Sequence, residues 1–219
     1  MFIYAKKSAP IFSDPDFPRY FQGDLPLDQG MHLRLLEWIA LPGETFERVG
    51  QEGDIVLVRT KRYPKELLYS HSLFFEEGEG KQVQKNKKEI LEALKYYPRL
   101  FYLWGGNTRA PVFDLFFLYQ TKLCDRKSFF HLTFQGVDCS GILYDAACGM
   151  TPRNTHELLD FGTEVKTLRP LDLVTLPGHV LIALDENTLI ESRHLTGVIR
   201  RPARERLNEL TDFQYRRWL

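Results

Sequence analysis

The chain of 219 residues has no excess of charge of either sign: 29 Lys and Arg balance 29 Asp and Glu. Nucleic-acid binders draw much of their affinity from neutralising phosphates, so a chain without a basic surplus is not expected to be one. The two local basic clusters, Lys85, Lys87, Lys88 and Arg200, Arg201, Arg204, Arg206, read as solvated faces. No apolar run approaches the roughly 20 residues that cross a bilayer, so no membrane span is expected. Met1 to Lys7 holds no long apolar segment after its charges and does not read as a secretory signal. Cysteine is scarce. Cys124, Cys139 and Cys148 are odd in number, which fits a reduced, cytoplasmic setting better than a disulfide framework. No pair of histidines or cysteines has the close spacing of a zinc site, so neither a metal nor another cofactor is expected. Internal repeats and low-complexity tracts are also missing.

What is there points to an ordinary folded domain of the α+β class. Apolar residues make up 43% of the chain and charged residues 26%. Residues 1–64 carry short apolar runs broken by turn signals: Phe2–Ala5, Ala9–Ser13, His32–Ala40 and Asp54–Arg59, the last after Glu52-Gly53. Several short strands in so few residues predict a small β-barrel. Residues 65–85 show no period and read as a connector. Asn86 with Glu89 forms a capping-box signature, and Ile90, Leu91, Leu94 and Tyr97 fall on one helical face before Pro98 stops it. A second helix is predicted from Asp138-Cys139-Ser140-Gly141, with Gly149 beyond its end. Strands then follow at Leu173–Leu176, His179–Leu184 and Thr188–Ser192. A helix that opens on a cysteine is thus followed by an antiparallel hairpin carrying a histidine.

That placement has chemical content. A thiol is a nucleophile only as thiolate, and a helix N-terminus and a nearby imidazole both favour that form. Backbone N–H groups at the helix start are also placed to stabilise an oxyanion. The plainer reading, a buried structural thiol, stays open for Cys139 at this point and is the assignment for Cys124 and Cys148.

Asp138-Cys139-Ser140-Gly141 resembles the nucleophile turn of the NlpC/P60 family of cell-wall cysteine peptidases. Tyr102-Leu103-Trp104-Gly105-Gly106 is similar to the family's Y-x-W-G-G segment. Leu168-Arg169-Pro170-Leu171-Asp172-Leu173-Val174 is similar to its L-x-P-G-D-L-V, with Leu171 where glycine is usual, and Gly178-His179-Val180-Leu181-Ile182 resembles its histidine strand. The resemblance covers about residues 86–200. It implies an N-terminal bacterial SH3-like barrel over 1–64, a connector over 65–85, and a papain-like catalytic domain over 86–219 in which 107–137 is an insertion. It further implies a monomeric hydrolase of the γ-D-glutamyl–diaminopimelate bond in murein peptides of the L-Ala-γ-D-Glu-diaminopimelate type. Cys139 would be the nucleophile and His179 the base. The family's third member stands about twelve positions on, which is Glu191, with His194 as the alternative. Tyr63 (with Pro64) would reach into the groove, Asp138 and Ser140 would hold the free amino end of the substrate, and Tyr102, Trp104 and Arg153 would contact the substrate as well.

The insertion is rich in apolar and aromatic residues (Phe113, Leu115, Phe116, Phe117, Leu118, Tyr119, Phe129, Phe130). It reads either as a packed helix over 113–122 with a loop or as a wall limiting the groove to small peptides. Two further classes stay open: a non-catalytic wall-peptide binding module, and an acyl- or amidotransferase of related fold.

Overall fold

The computed structural model describes residues 1–23, 25–122 and 125–219, so Cys124 lies outside the described residues. The chain divides into two compact units. Met1–Val83 with Leu103–Gly136 forms the first, and Gln84–Tyr102 with Val137–Leu219 forms the second. Both are built on antiparallel sheets with short helices, an α+β architecture.

The first unit holds a seven-stranded sheet: β1 (Phe2–Ala5), β2 (Ala9–Phe12), β3 (Leu36–Ala40), β4 (Thr45–Glu52), β5 (Ile55–Arg59), β6 (Leu68–His71) and β7 (Phe75–Glu77). Their order is β3-β2-β6-β5-β4-β1-β7. Bulges at Ile11/Phe12 and Arg48/Gly50 bend the sheet. Closure would require its two margins, β3 and β7, to pair, and they do not. The expected SH3-like barrel is therefore corrected to an open sheet among the described residues. The boundary at 64 moves as well, because the supposed connector supplies β6 and β7. β6 inserts between β2 and β5, with Leu57 opposite Tyr69 and Val58 opposite Leu68. Its four residues are too few to show a period, which is why the connector looked structureless.

Residues 107–136 also belong to this unit rather than to the second. β8 (Asn107–Thr108) carries a buried carboxamide that exchanges two 2.8 Å hydrogen bonds with the Ile39 backbone, mimicking a ladder pair. The single helix expected over 113–122 is two short ones, α2 (Asp114–Leu118) and α3 (Arg126–Leu132). Gln120, with φ +50°, lies in the left-handed region just after α2, and Asp125 caps α3 through the Ser128 N–H at 2.7 Å. Phe134 then packs edge-on against Phe12 and Phe21.

The second unit begins with α1 (Lys87–Leu94). Asn86 and Glu89 make the capping box in both directions, and Ile90 and Leu94 are fully buried. The chain re-enters through β9 (Gly136–Val137) and runs into α4 (Cys139–Ala146) and α5 (Thr155–Leu158). A six-stranded sheet follows: β10 (Thr163–Val165), β11 (Leu173–Leu176), β12 (His179–Ala183), β13 (Thr188–Arg193), β14 (Gly197–Pro202) and β15 (Gln214–Arg217). Their order is β10-β15-β11-β12-β13-β14. α1 and α4 cover one face through Leu173, Val180, Ile182, Ile190 and Val198. α6 (Ala203–Leu207) and the segment after it cover Val174, Leu181, Ala183 and Leu189 on the other. With both faces covered, β11 and β12 are apolar at most positions, and a polar side chain buried in the sheet needs a partner.

Candidate active site

Cys139 is the first residue of α4, and the Asp138 side chain caps that helix by accepting the Gly141 N–H at 2.7 Å. The thiol is almost sealed, with 7% of the residue exposed. Burial, followed by the Asp138 charge, pushes its pKa up to about 12, against the opposing pull of the Val180 and Ser140 backbone N–H groups and the Arg153 charge. The resting group is thus a neutral thiol. Its hydrogen bond from Val180 places the sulfur against the backbone of β12.

His179 opens β12. Its Nε2 lies 2.8 Å from Oε2 of Glu191 on β13. The register of the hairpin explains this contact. Ile182 faces Ile190 and Ala183 faces Leu189 across the hairpin, and strand alternation puts the odd-numbered His179 and Glu191 on one side of the sheet. A carboxylate only accepts, so Nε2 carries the hydrogen and the neutral ring keeps its lone pair on Nδ1. That nitrogen is the one equipped to take a thiol proton.

Glu191 is 1% exposed. Burial would raise its pKa, but hydrogen bonds from His179 and from Arg206, together with both charges, outweigh it and hold the carboxyl at about 2. Arg206 donates Nε to Oε1 at 2.6 Å and Nη2 to Oε2 at 3.0 Å. This residue had been grouped with a solvated basic face; in the fold it is 6% exposed. No local signal in the sequence separates Arg206 from Arg204, because only the packing of α6 onto β13 decides which arginine points inward.

His194, the alternative partner, lies exposed on the turn after β13 with its ring 5.8 Å from that of Tyr102. Arg153 does not line a groove. It is 4% exposed and clamps Asp138, donating Nη1 to Oδ1 at 3.0 Å and Nη2 to Oδ2 at 2.7 Å, with Ser140 Oγ 2.9 Å from Nη1. The physical reason is that Asp138, 8% exposed at a helix start, is a buried carboxylate that needs a cation. The polar pair expected to hold a substrate ammonium is therefore already bonded within the protein.

Tyr63 and Trp104 belong to the first unit. The Tyr63 ring stacks on Trp38 at 4.4 Å and its hydroxyl donates to Glu37 at 2.6 Å. Trp104, 38% exposed, lies under the Arg34 guanidinium, 3.9 Å from the ring centre.

No family model matches the chain, and no curated protein matches it. Among solved structures it is similar to an NlpC/P60 family protein from Bacillus cereus ATCC 10987, at 15% identity and TM-score 0.44, covering 100% of this chain and 63% of that one. It is also similar to NlpC2 from Trichomonas vaginalis, at 12% identity and TM-score 0.41, covering 100% of this chain and 72% of that one. The chain thus spans less than two thirds of the length of the first.

Parts of the motifs have structural reasons of their own. A Cβ at Gly105 would stand 2.3 Å from the Leu36 oxygen and one at Gly106 2.6 Å from the Gly136 oxygen, so the glycine pair is required by close packing. Asp172 accepts the Arg169 N–H at 2.7 Å and both ends of the Arg217 fork, fixing the turn before β11. Leu171, standing where the family has glycine, has φ +72° and is 2% exposed. Its side chain packs in the core at a backbone strain of about 1–2 kcal/mol. Among the described residues no group of three or more His, Cys, Asp or Glu is placed to hold a metal ion. No helix among them is long and apolar enough to cross a membrane.

Proposed function

We propose that this chain is a cysteine endopeptidase that hydrolyses the γ-D-glutamyl–diamino acid bond, with meso-diaminopimelate as the diamino acid, in peptidoglycan-derived peptides bearing a free N-terminal L-Ala. The observation that carries the reading is the hydrogen-bonded His179–Glu191 pair set at the strand against which the Cys139 sulfur rests. His179 Nδ1 takes the thiol proton as sulfur attacks the γ-carbonyl, and N–H groups at the start of α4 receive the oxyanion. The imidazolium then protonates the departing amine. Water activated by the same ring hydrolyses the thioester and returns the free thiol. In this reading the α-ammonium of L-Ala meets the Asp138 carboxylate beside Ser140, in competition with the Arg153 fork, and Tyr102 completes the second unit's share of the peptide site. A monomer that recycles murein peptides in the cytoplasm is the matching cellular role.

The burial of Cys139 and its upward-shifted pKa favour a second reading, a binding module that holds wall peptides without cutting them. Mass spectrometry of L-Ala-γ-D-Glu-meso-diaminopimelate incubated with wild type and with Cys139→Ala separates the two. The hydrolase yields L-Ala-D-Glu and free diamino acid, both lost in the variant. Equal peptide binding by the two proteins with no product from either establishes the module instead, and a conjugate with an added amine establishes a transferase.

A further inference from the structure

We propose that Arg206 is the positioning residue of the His179–Glu191 pair, clamping the carboxylate so that Oε2 faces the ring and setting by its charge the pH at which the ring becomes a base. The inference rests on the reading of His179 as general base given above.

The geometry is that of a two-pronged clamp. Arg206 holds both oxygens of Glu191, and Oε2 is shared between Arg206 Nη2 at 3.0 Å and His179 Nε2 at 2.8 Å. A carboxylate with a single partner can rotate about its last torsion, whereas one gripped on both oxygens by a planar guanidinium cannot. Arg206 is itself braced. Its Nη1 donates to Glu209 at 3.1 Å, and Glu209 takes both prongs of Arg201 from β14 at 2.7 and 2.5 Å. The side chains of Arg206 and Glu191 are 8% and 1% exposed, while Glu209 is 45% exposed, so the network runs from the buried pair out to solvent.

The charge of Arg206 acts in a definite direction. A bare buried Glu191 would strongly stabilise the imidazolium, and the ring would then keep its proton to higher pH. Arg206 offsets that carboxylate. The other charged and titratable groups on the neighbouring elements are Cys139 on α4 with the Asp138–Arg153 pair beside it, and Arg193, exposed at the end of β13. Arg206 is the cation that contacts the ring's own hydrogen-bond partner.

The test uses the full-length chain, the same tripeptide, and Arg206→Met beside Arg206→Lys. Two quantities are read: the pH profile of kcat/KM, and the titration of the His179 ring by nitrogen NMR in substrate-free protein. For Arg206→Met the ring titration and the acid limb of kcat/KM both move up by about one to two pH units. The plateau rate falls on the order of ten-fold while KM moves less than two-fold. Arg206→Lys keeps the wild-type limb, because the charge remains, and still loses rate, because an ammonium cannot grip both oxygens. An Arg206→Met protein whose ring titration and acid limb overlay the wild type overturns the proposal. Should that variant not fold, Arg206→Lys decides alone, and a wild-type rate in it is the overturning result. The NMR readout separates this proposal from the peptidase reading. A shifted titration in a chain that cleaves no tripeptide removes the peptidase and keeps Arg206 in its role, and cleavage with an unshifted profile does the reverse.

Discussion

Two arginine–carboxylate pairs lie buried in the second unit, and they do different things. At the start of α4, Arg153 grips both oxygens of Asp138, and the same carboxylate caps the helix that carries Cys139. On β13, Arg206 grips both oxygens of Glu191, and the same carboxylate receives the His179 ring. The first pair is tied to a helix end through the Gly141 N–H. The second is tied to the imidazole ring of His179. Two forks of similar geometry thus serve a fixed scaffold in one place and a proton-carrying ring in the other. The comparison teaches that a buried ion pair is assigned a role by its third partner rather than by its own geometry.

The largest effect that would break this comparison is expected at the first pair. Arg153→Met leaves the Asp138 charge without its fork, and urea unfolding should show a loss of about 3–5 kcal/mol. A loss below about 1 kcal/mol would mean that the pair does not hold the helix start. Next comes the pH dependence at the second pair. Glu191 has a folded pKa of about 2 against an ordinary value of 4.5, so its contribution is complete above about pH 4.5 and disappears as pH falls towards 2. The depression corresponds to on the order of 3 kcal/mol. Wild type should therefore lose stability across that window more steeply than Glu191→Gln, and parallel curves would remove the Glu191 pair as its source. The smallest effect is expected at a site outside both pairs. Leu171→Gly relieves about 1–2 kcal/mol of left-handed strain but gives up a buried leucine worth about 2–5 kcal/mol, leaving a net loss of about 0–4 kcal/mol. A gain in stability would show that the strain at Leu171 outweighs its packing.

Much of the second unit was legible because its signals are local. The Asn86–Glu89 capping box, the Asp138 cap and the apolar faces of α1 and α4 each occupy a few consecutive residues, and a cap acts over three positions. Twelve residues from His179 to Glu191 is likewise a hairpin distance, and strand parity puts both on one face. The first unit was less legible. Leu68–His71 pairs with β2 and β5, far away in sequence, and residues 107–136 add to a unit whose strands end at Glu77. The apolar run Phe113–Leu118 did not show that Gln120 would turn left-handed and divide the helix.

By itself the sequence determined the helix that opens on Cys139 and the hairpin that carries His179 and Glu191, since caps, turns and two-residue periodicity act between near neighbours. Only the tertiary structure decided the company each group keeps: Arg153 with Asp138, Arg206 with Glu191, the Cys139 thiol pushed up by burial. Those outcomes follow from desolvation and long-range packing, where a buried carboxylate takes whatever cation the fold brings within reach, and no local pattern records which one that is.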